Sequence, residues 1–361
     1  MKFYLPTMVF QERDAVKKHS EQMAHIGKKA LIVTGRVSSK KNGAMQEVID
    51  GLEQYQTAYI LYDKIEENPT VESIMEAAEL GRKEGTDFVI GIGGGSPLDA
   101  AKAIALMIQN RDSEKTVLYQ KIALRHLPVV AVPTTCGTGS EVTPYAILTL
   151  HKQRTKQSIS HRIFPSLALL DAKYLTSMSR EGLVNTAVDA LAHLVESYLN
   201  TNSNELNRIY AREGLGMWQQ FKENLLEDKV DEEDYVKMMH TSMVAGMAIT
   251  HTGTSLPHGL SYSITYELGI PHGRAVGMFL SGYMDVYQKK EDVNQVLESL
   301  NFENTAAFRK FMKELLGIVK VEEELMKANA KRLLANKSKL KNYPFFITEQ
   351  ELEAMAILNM E

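Results

Sequence analysis

Four side chains in the second half of the chain have the types and spacing of a metal site. Asp189 and His193 are four residues apart in TAVDALAHLVESYL, so on a helix both point from one face. His258 and His272 each follow a proline and precede a glycine in PHGLSYSITYELGIPHG. One carboxylate and three imidazoles can fill most of the shell of a borderline divalent ion and leave one position for substrate. This pattern predicts a catalytic metal site.

Spacing alone leaves a structural interpretation of these residues open, because short motifs need structural context to confirm them. Glu196 lies on the same predicted helix and is interpreted as a residue that orients a ligand. His251 lies seven residues before His258, and its position is compatible with a supporting role at the site or with a place in the core.

A glycine-rich loop, GIGGGSPLDAAK, follows the predicted strand DFVIGI in the first half of the chain. Its glycines allow close approach of the backbone to a ligand. Ser96 is a good N-cap, Pro97 suits the first helical turn, and Asp99 completes a capping box. The N-terminus of the helix then offers free N–H groups to a phosphate. The alternative is a tight turn that binds no ligand.

A second loop, TTCGTGSEVTP, follows the predicted strand LPVVAVP and is rich in hydroxyls and glycines. Its candidate cofactor contacts are Thr134, Thr135 and Thr138. Loops after the carboxyl ends of parallel strands share one edge of the sheet, where ligands bind. Two such loops side by side favour a nucleotide site over a plain polar surface.

The end of the first strand candidate bears on the choice of nucleotide. An acid there would bind a ribose 2′-hydroxyl and repel a 2′-phosphate. KKALIVTGRVSSKKNG carries none, and its candidate phosphate contacts are Gly35, Arg36, Ser38, Ser39 and Lys40. The segment therefore predicts NADP, with NAD less favoured. A solvated loop whose charges only keep the surface polar is the alternative.

The elements that position these motifs fall into two groups. Up to about residue 175, strand patterns alternate with helical ones, which predicts a parallel sheet covered on both faces. The strand candidates are Lys29–Gly35, Ala58–Tyr62, Asp87–Ile92, Pro128–Pro133 and Leu167–Leu170, with a hairpin at Ala146–Leu150 and Gln157–His161. The helix candidates between them are Ala44–Tyr55, Val71–Glu84 and Leu98–Ile108.

Helical patterns alone follow residue 175: Arg180–Leu199, Glu205–Asn224, Asp231–Ile249, Arg274–Tyr287, Thr305–Leu316 and Val321–Ala335. The fold class expected is α/β followed by all-α. Residues 1–175 form a Rossmann-like dinucleotide-binding domain with a parallel sheet, and residues 176–361 form a helical domain that binds metal and substrate. Chemistry at a cleft between the two is the expectation.

Composition narrows the class of protein. The net charge of −4 on 361 residues gives no support for binding to nucleic acid or to an anionic membrane. A single cysteine, Cys136, rules out an internal disulfide framework and favours the reducing cytoplasm. The start, MKFYLPTMVFQERD, soon becomes charged and does not look like a signal peptide.

The motifs GGGSPLDAAK, PTTCGTGSEVTP, DALAHLVES and PHGLSYSITYELGIPHG, in this order, resemble the iron-containing (group III) alcohol dehydrogenases. TGRVSSKKNG resembles the NADP-linked branch of that family. The resemblance covers nearly the whole chain and implies an architecture shared with dehydroquinate synthase. It implies a cytoplasmic homodimer that transfers hydride between NADP(H) and a small primary alcohol or aldehyde, with Fe²⁺, or alternatively Zn²⁺, polarising the substrate oxygen.

Carried over position by position, the resemblance places the metal ligands on Asp189, His193, His258 and His272. It places the phosphate loop on Gly94, Gly95 and Ser96, the second loop on Thr134, Thr135 and Thr138, and further cofactor contacts on Asn68 and Lys156. Asp99 and Lys102 match the pattern GGGSxxDxxK.

Two departures from the family pattern affect the site. Many members have a second histidine four residues after the first ligand of the later pair, where this chain has Tyr262, so Tyr262 or a bound water becomes the candidate for proton relay. Cys136 stands where alanine is usual, and a packing variant is the favoured interpretation.

Other functions stay open at this stage. A polyol dehydrogenase such as glycerol dehydrogenase, the lyase dehydroquinate synthase and a metal-free maleylacetate reductase are the enzyme alternatives. The complete set of four ligand candidates disfavours the last of these. A nucleotide-binding sensor that keeps the fold without turnover is the alternative from another class.

Overall fold

The computed structural model describes residues 3–151 and 155–356. Its strands are β1 Met8–Gln11, β2 Lys29–Thr34, β3 Ala58–Tyr62, β4 Phe88–Gly93, β5 Val129–Pro133, β6 Ile147–Leu150, β7 Thr155–Ser158 and β8 Leu167–Leu170. Six of them form a parallel sheet in the order β1-β8-β5-β4-β2-β3. Strands β6 and β7 form a separate antiparallel hairpin.

The helices among these strands are α1 Ala15–Lys18, α2 Ser20–Ala24, α3 Ser38–Lys41, α4 Ala44–Gln54, α5 Val71–Glu84 and α6 Gly95–Gln109. The later helices are α7 Arg180–Tyr198, α8 Glu205–Leu226, α9 Glu232–Thr252, α10 Leu256–Leu268, α11 His272–Gly277, α12 Leu280–Val286, α13 Lys290–Ser299, α14 Thr305–Leu316, α15 Glu323–Leu334, α16 Lys337–Leu340 and α17 Glu349–Ala354. None of the helices in the described ranges combines the length and the apolarity that crossing a membrane would take.

Both faces of the sheet are buried, which explains its continuous apolar strands. Along β2, Leu31 and Val33 pack into the cluster under α5 and α6, whereas Ala30 and Ile32 pack into the cluster under α1, α2 and α4. A strand covered on both sides needs apolar residues at every position. The predicted fold class, a parallel α/β part followed by an all-helical part, is confirmed.

The chain forms two compact units. One comprises Leu5–Met178. The other begins at Ser179 and also includes Phe3 and Tyr4 from the start of the chain. The Tyr4 backbone N–H donates to His251 Nε2 over 3.0 Å, and the Phe3 ring stacks on the His251 ring with centroids 4.4 Å apart. His251 therefore holds Phe3 and Tyr4 in place. The sequence leaves open whether His251 supports the metal site or belongs to the core, and these contacts give it a different role.

Several elements differ from the sequence prediction, and three of these differences have a clear local reason or bear on the site. Strand β1 has no predicted counterpart, because this short edge strand is largely accessible and lacks a continuous apolar run. Helix α10 is also missing from the prediction, since its buried face includes polar residues such as His258, Ser261 and Thr265, which weaken the periodic pattern. The segment predicted as one helix over Arg274–Tyr287 is two helices, α11 and α12.

Candidate functional site

Helix α7 carries Asp189 and His193 on one buried face. The Ser179 side chain caps the helix by accepting a hydrogen bond from the Gly182 N–H at 3.1 Å. Asp189 is 4% exposed and His193 is 5% exposed, so neither is an ordinary surface group. Charged side chains are rarely buried this deeply without a partner. The predicted helical spacing therefore places two candidate ligands in the interior of the helical unit.

The two later histidines lie in the first turns of two helices. His258 follows Pro257 in α10, and His272 opens α11 after Pro271. Gly273 then lets α11 approach α7 closely, because a Cβ at that position would lie 1.7 Å from the Asn185 carbonyl oxygen. The second PHG unit is thus a packing requirement: its glycine brings His272 to the helix that carries Asp189.

The candidate ligand atoms converge on Asp189 Oδ1. This oxygen lies 3.4 Å from His258 Nε2, 3.6 Å from His272 Nε2 and 3.9 Å from His193 Nε2. Donors about 2.1 Å from an ion at tetrahedral angles are about 3.4 Å apart. In Asp189, His258 and His272 the ligand atoms all lie within 4.8 Å of one another. His193 stands outside that group, with its ring stacked on His258 at 4.5 Å between centroids.

The donor set fits a divalent cation. Asp189 Oδ1 and His258 Nε2 are buried and make no hydrogen bond with any residue in the described ranges. An unsatisfied buried polar atom costs about 1–3 kcal/mol, and more when it is charged. A cation between the two atoms would remove that cost, and a set of imidazoles with one carboxylate suits Fe²⁺ or Zn²⁺.

Glu196 holds His258 from the side opposite the candidate metal position. It is fully buried, and its Oε1 accepts hydrogen bonds from the backbone N–H groups of Ser255 at 3.1 Å and His258 at 3.0 Å. Its Oε2 accepts from His258 Nδ1. Because Nδ1 is engaged in this way, Nε2 is the nitrogen that faces Asp189. The orienting role expected for Glu196 agrees with this geometry.

The charges in this cluster support one another. Burial favours a higher pKa for Asp189, but the surrounding imidazoles, His193 foremost, outweigh it and hold that pKa below its usual value. Burial favours a lower pKa for His258, but Glu196 and Asp189 outweigh it and raise that pKa to about 10. Asp189 therefore stays an anionic donor throughout the neutral range, whereas His258 holds a proton there that a bound cation would displace.

Tyr262 lies beside the candidate ligands, one turn after His258 on α10. Its ring stacks on that of His272 with centroids 5.7 Å apart. The Lys339 ammonium group lies 5.2 Å from the centre of the Tyr262 ring. The tyrosine at the position of the expected histidine is thus near the site.

The two glycine-rich loops meet at the edge of the sheet. A Cβ at position 94 would lie 3.0 Å from Thr135 Oγ1, and one at position 95 would lie 2.7 Å from Thr138 Cγ2. The Thr134 N–H donates to the Gly93 carbonyl at 2.9 Å. Only glycine allows the loops to pack this closely, so the predicted adjacency of the two loops is confirmed.

The predicted cap of α6 is wrong. The helix begins at Gly95 with Gly94 at the N-cap, two positions before the predicted cap Ser96, and no side chain caps it. Ser96 Oγ instead accepts a hydrogen bond from the Asn68 N–H at 3.0 Å. Asp99 faces away from its predicted capping position and accepts from the Ile147 N–H at 2.8 Å. The uncapped first turn keeps N–H groups free for an anion.

Two further predicted contacts lie around the same loops. Asn68 has a left-handed backbone, with φ of 63°, and its carbonyl accepts from Thr149 Oγ1 at 2.9 Å. Lys156 on β7 is paired in register with Thr149 on β6. The hairpin therefore connects Lys156 to Asn68, which in turn contacts Ser96.

The segment after β2 differs from the predicted phosphate-binding loop. Ser39 is fully buried in α3, and its Oγ accepts from Thr34 Oγ1 at 2.7 Å, which corrects its predicted place at the cofactor. Lys40 Nζ donates to Asp63 Oδ2 at 2.5 Å. Asp63 lies directly after the neighbouring strand β3. The sequence does not reveal this carboxylate as a neighbour of Lys40, because the two residues are far apart in the chain. Gly35, Arg36 and Ser38 remain accessible at least in part.

Glu141 is a buried acid in the second loop. It is 2% exposed, and its Oε1 has no hydrogen-bond partner in the described part of the chain. Burial raises the pKa of Glu141 to about 7, although its own backbone N–H and Lys102 act in the opposite direction. Below pH 4.5 the acid is neutral in both states, whereas between pH 4.5 and 7 only the unfolded chain is ionised. Its contribution to stability is therefore lost as the pH rises towards 7.

Replacing Glu141 with glutamine is expected to remove this loss. Relative to wild type, the free energy of unfolding of Glu141→Gln should increase from pH 5 to pH 8 by up to about 3 kcal/mol. Urea denaturation at several pH values measures the difference. The exposed acid Glu67 provides the matched control, and Glu67→Gln should show no such trend. A pH-independent difference for Glu141→Gln would show that the carboxyl group is already ionised at pH 5.

Comparisons with known proteins point to one family. The profile described as iron-containing alcohol dehydrogenase matches residues 6–172. The profile for the C-terminal part of the Fe-containing alcohol dehydrogenase family matches residues 183–349. The crystal structure of an iron-containing alcohol dehydrogenase from Thermotoga maritima is 38% identical, with a TM-score of 0.91 over 98% of each chain.

Curated relatives differ in the cofactor that their names give. A long-chain primary alcohol dehydrogenase of Thermoanaerobacter ethanolicus is 31% identical over 69% of this chain and 64% of its own length. An NADPH-dependent butanol dehydrogenase of Clostridium saccharobutylicum is 28% identical over 78% of this chain and 72% of its own length. An NAD-dependent methanol dehydrogenase of Bacillus methanolicus is 28% identical over 75% of this chain and 72% of its own length.

Proposed function

The chain belongs to the iron-containing alcohol dehydrogenase family, and on that premise we propose that it interconverts a small primary alcohol and its aldehyde with NADP(H). The observation that carries the proposal is the convergence of His258 and His272 on the buried, unsatisfied Oδ1 of Asp189. A purely structural role for Asp189 would not explain why its buried oxygen Oδ1 lies among three imidazoles and yet accepts no hydrogen bond within the described residues.

The ligands proposed for the ion are Asp189, His193, His258 and His272. Bound there, Fe²⁺ supplies Lewis acidity to the substrate oxygen, and Zn²⁺ is the alternative ion. Glu196 fixes the tautomer and orientation of His258 through Nδ1. The low exposure of Asp189, His193 and His258 keeps bulk water from these groups, which strengthens their electrostatic effect.

Tyr262 is proposed to relay the proton of the alcohol. Its position against the His272 ring supports this, because the phenol lies on the same helical face as His258. Proton transfer by a positioned side chain contributes about 10²–10⁴-fold to a rate. A bound water molecule is the alternative relay, and Tyr262→Phe distinguishes the two, because a water relay would leave kcat nearly unchanged.

The cofactor is proposed to bind at the sheet edge formed by the two glycine loops. Gly94, Gly95 and the uncapped first turn of α6 would receive the pyrophosphate, with Thr135 and Thr138 packed against them. The choice of NADP depends on Arg36 and Ser38, because Lys40 is already paired with Asp63. That ion pair leaves less positive charge for a 2′-phosphate, which weakens the case for NADP. A free Asp63 carboxylate would favour NAD instead, because an acid can bind the ribose 2′-hydroxyl and repels a 2′-phosphate.

A panel of alcohols and aldehydes tests the proposal after anaerobic loading of the protein with Fe²⁺. We expect oxidation of short primary alcohols, with kcat/KM at least about tenfold higher for NADP than for NAD, since charge-assisted contacts to the 2′-phosphate are worth about 1.5–3 kcal/mol. A preference for NAD would overturn the assignment of Arg36 and Ser38. Metal-loaded protein that binds a nicotinamide cofactor yet turns over no alcohol or aldehyde would overturn the proposed activity.

A further inference from the structure

A fully buried lysine lies beneath the second cofactor loop. Lys102 is on the inward side of α6 and is 0% exposed. Its Nζ donates to Ser140 Oγ at 2.7 Å and to the Tyr145 carbonyl at 2.7 Å. A lysine loses much hydration and side-chain entropy on burial, so this position carries a cost that an apolar residue would avoid. The contacts that it makes offer the physical reason for its presence.

Asp99, one turn earlier on α6, contacts the same stretch of chain. Its Oδ1 accepts from Ser140 Oγ at 2.5 Å and lies 3.5 Å from Lys102 Nζ. Its Oδ2 accepts from the Ile147 N–H at 2.8 Å. Both carboxylate oxygens are thus used by groups of the protein itself. A direct contact between Asp99 and a cofactor would have to compete with these bonds.

These contacts fix the second loop in its middle and just beyond its C-terminal end. Lys102 and Asp99 meet at Ser140, which follows Thr138 and Gly139, and they reach the chain again at Tyr145 and Ile147. The threonines of this loop pack directly against Gly94 and Gly95 at the start of the same helix. One helix therefore provides both the N-terminal turn for an anion and the side chains that set the position of the loop beside it.

We propose that Lys102 and Asp99 are positioning residues for the nicotinamide cofactor, which hold Thr135 and Thr138 in register with the start of α6 without touching the cofactor. The inference rests on the proposed function, because it assumes that a dinucleotide binds at these loops. It differs from a purely structural role in a measurable way. A buried ion pair adds little to net stability, whereas a displaced loop weakens cofactor binding directly.

This inference is tested by measuring the binding of NADPH and of NADH to the metal-loaded protein. The fluorescence of the reduced nicotinamide reports the binding. Lys102→Met and the charge-balanced double variant Asp99→Asn/Lys102→Met are expected to raise the Kd of the better cofactor at least about tenfold, because charge-assisted hydrogen bonds that fix the loop are lost. The cofactor KM should rise in parallel, while metal content and the KM for alcohol stay within about twofold of wild type. Lys83→Met, at an exposed position on α5, is the matched control and should match wild type.

Ser140→Ala provides a milder test should the lysine variants fail to fold, since it removes only the hydroxyl that joins Lys102 to Asp99. It is expected to raise the cofactor Kd about threefold or more. An unchanged cofactor Kd in a folded double variant, or in Ser140→Ala, overturns the inference and leaves the proposed activity standing. If wild type binds neither NADPH nor NADH, the proposed function fails, and the inference fails with it.

Discussion

Replacing His258 with alanine is expected to empty the metal site and to lower kcat/KM by at least about a thousandfold. The imidazole Nε2 faces Asp189 Oδ1 at 3.4 Å, and the side chain is only 2% exposed. A Lewis-acid ion supplies several kcal/mol of transition-state stabilisation, and each 1.36 kcal/mol corresponds to a factor of ten in rate. Elemental analysis of the purified variant and turnover of a primary alcohol after anaerobic Fe²⁺ loading measure the two effects.

The exposed imidazole of His126 provides the control for this experiment. It lies in the sheet-containing unit, and its Nδ1 is 2.8 Å from the Leu127 carbonyl oxygen. His126→Ala should keep full metal content and turnover. Undiminished metal binding and activity in His258→Ala would remove His258 from the proposed ligand set.

Replacing Glu196 with glutamine is expected to weaken metal binding by about 10- to 100-fold, the usual cost of losing a residue that orients a ligand. The glutamate uses one oxygen for two backbone N–H groups and the other for His258 Nδ1. A glutamine has one oxygen and one NH₂ group. At least one of the N–H groups that now donate to the carboxylate would therefore face the NH₂ group, which cannot accept a hydrogen bond. His258 would then lose either its fixed tautomer or the helix turn that carries it.

Competition with a chromogenic chelator measures the metal affinity of Glu196→Gln. Glu181→Gln, an exposed substitution in the first turn of the same helix α7, is the matched control and should bind metal as wild type does. An affinity for metal in Glu196→Gln equal to that of the control would mean that His258 is oriented by its own helix rather than by the carboxylate.

The fold was predictable where local pattern and burial agree. Strands β4 and β5 are apolar throughout, and β2 is apolar between its end residues Lys29 and Thr34, because both sides of the sheet are covered. Helix α10 escaped prediction because buried polar residues at His258 and Ser261 interrupt its apolar stripe. The proposed function explains that interruption, since the candidate metal ligands and their neighbours occupy positions that a purely structural helix would fill with apolar residues.

The candidate site was predictable in part for a related reason. The spacing of Asp189 and His193 is set by one helix, and the adjacency of the glycine loops is set by the parallel sheet. The partners of Ser39 and Lys40 depend instead on how α3 packs and on Asp63 at the end of another strand. No local sequence pattern indicates such a contact. The sequence therefore could not show whether the side chain of Ser39 points into the core or towards solvent.

On the proposed function, the unsatisfied oxygen of Asp189 and nitrogen of His258 would also make the abundance of the protein depend on the supply of metal. The proposed ligands come from three helices that are separate in sequence, so the unfolded chain cannot reproduce the site. An ion that binds only the native state stabilises it by about 2.7 kcal/mol when its free concentration is 100 times its dissociation constant. A cell short of metal would therefore lose the enzyme to proteolysis as well as its turnover.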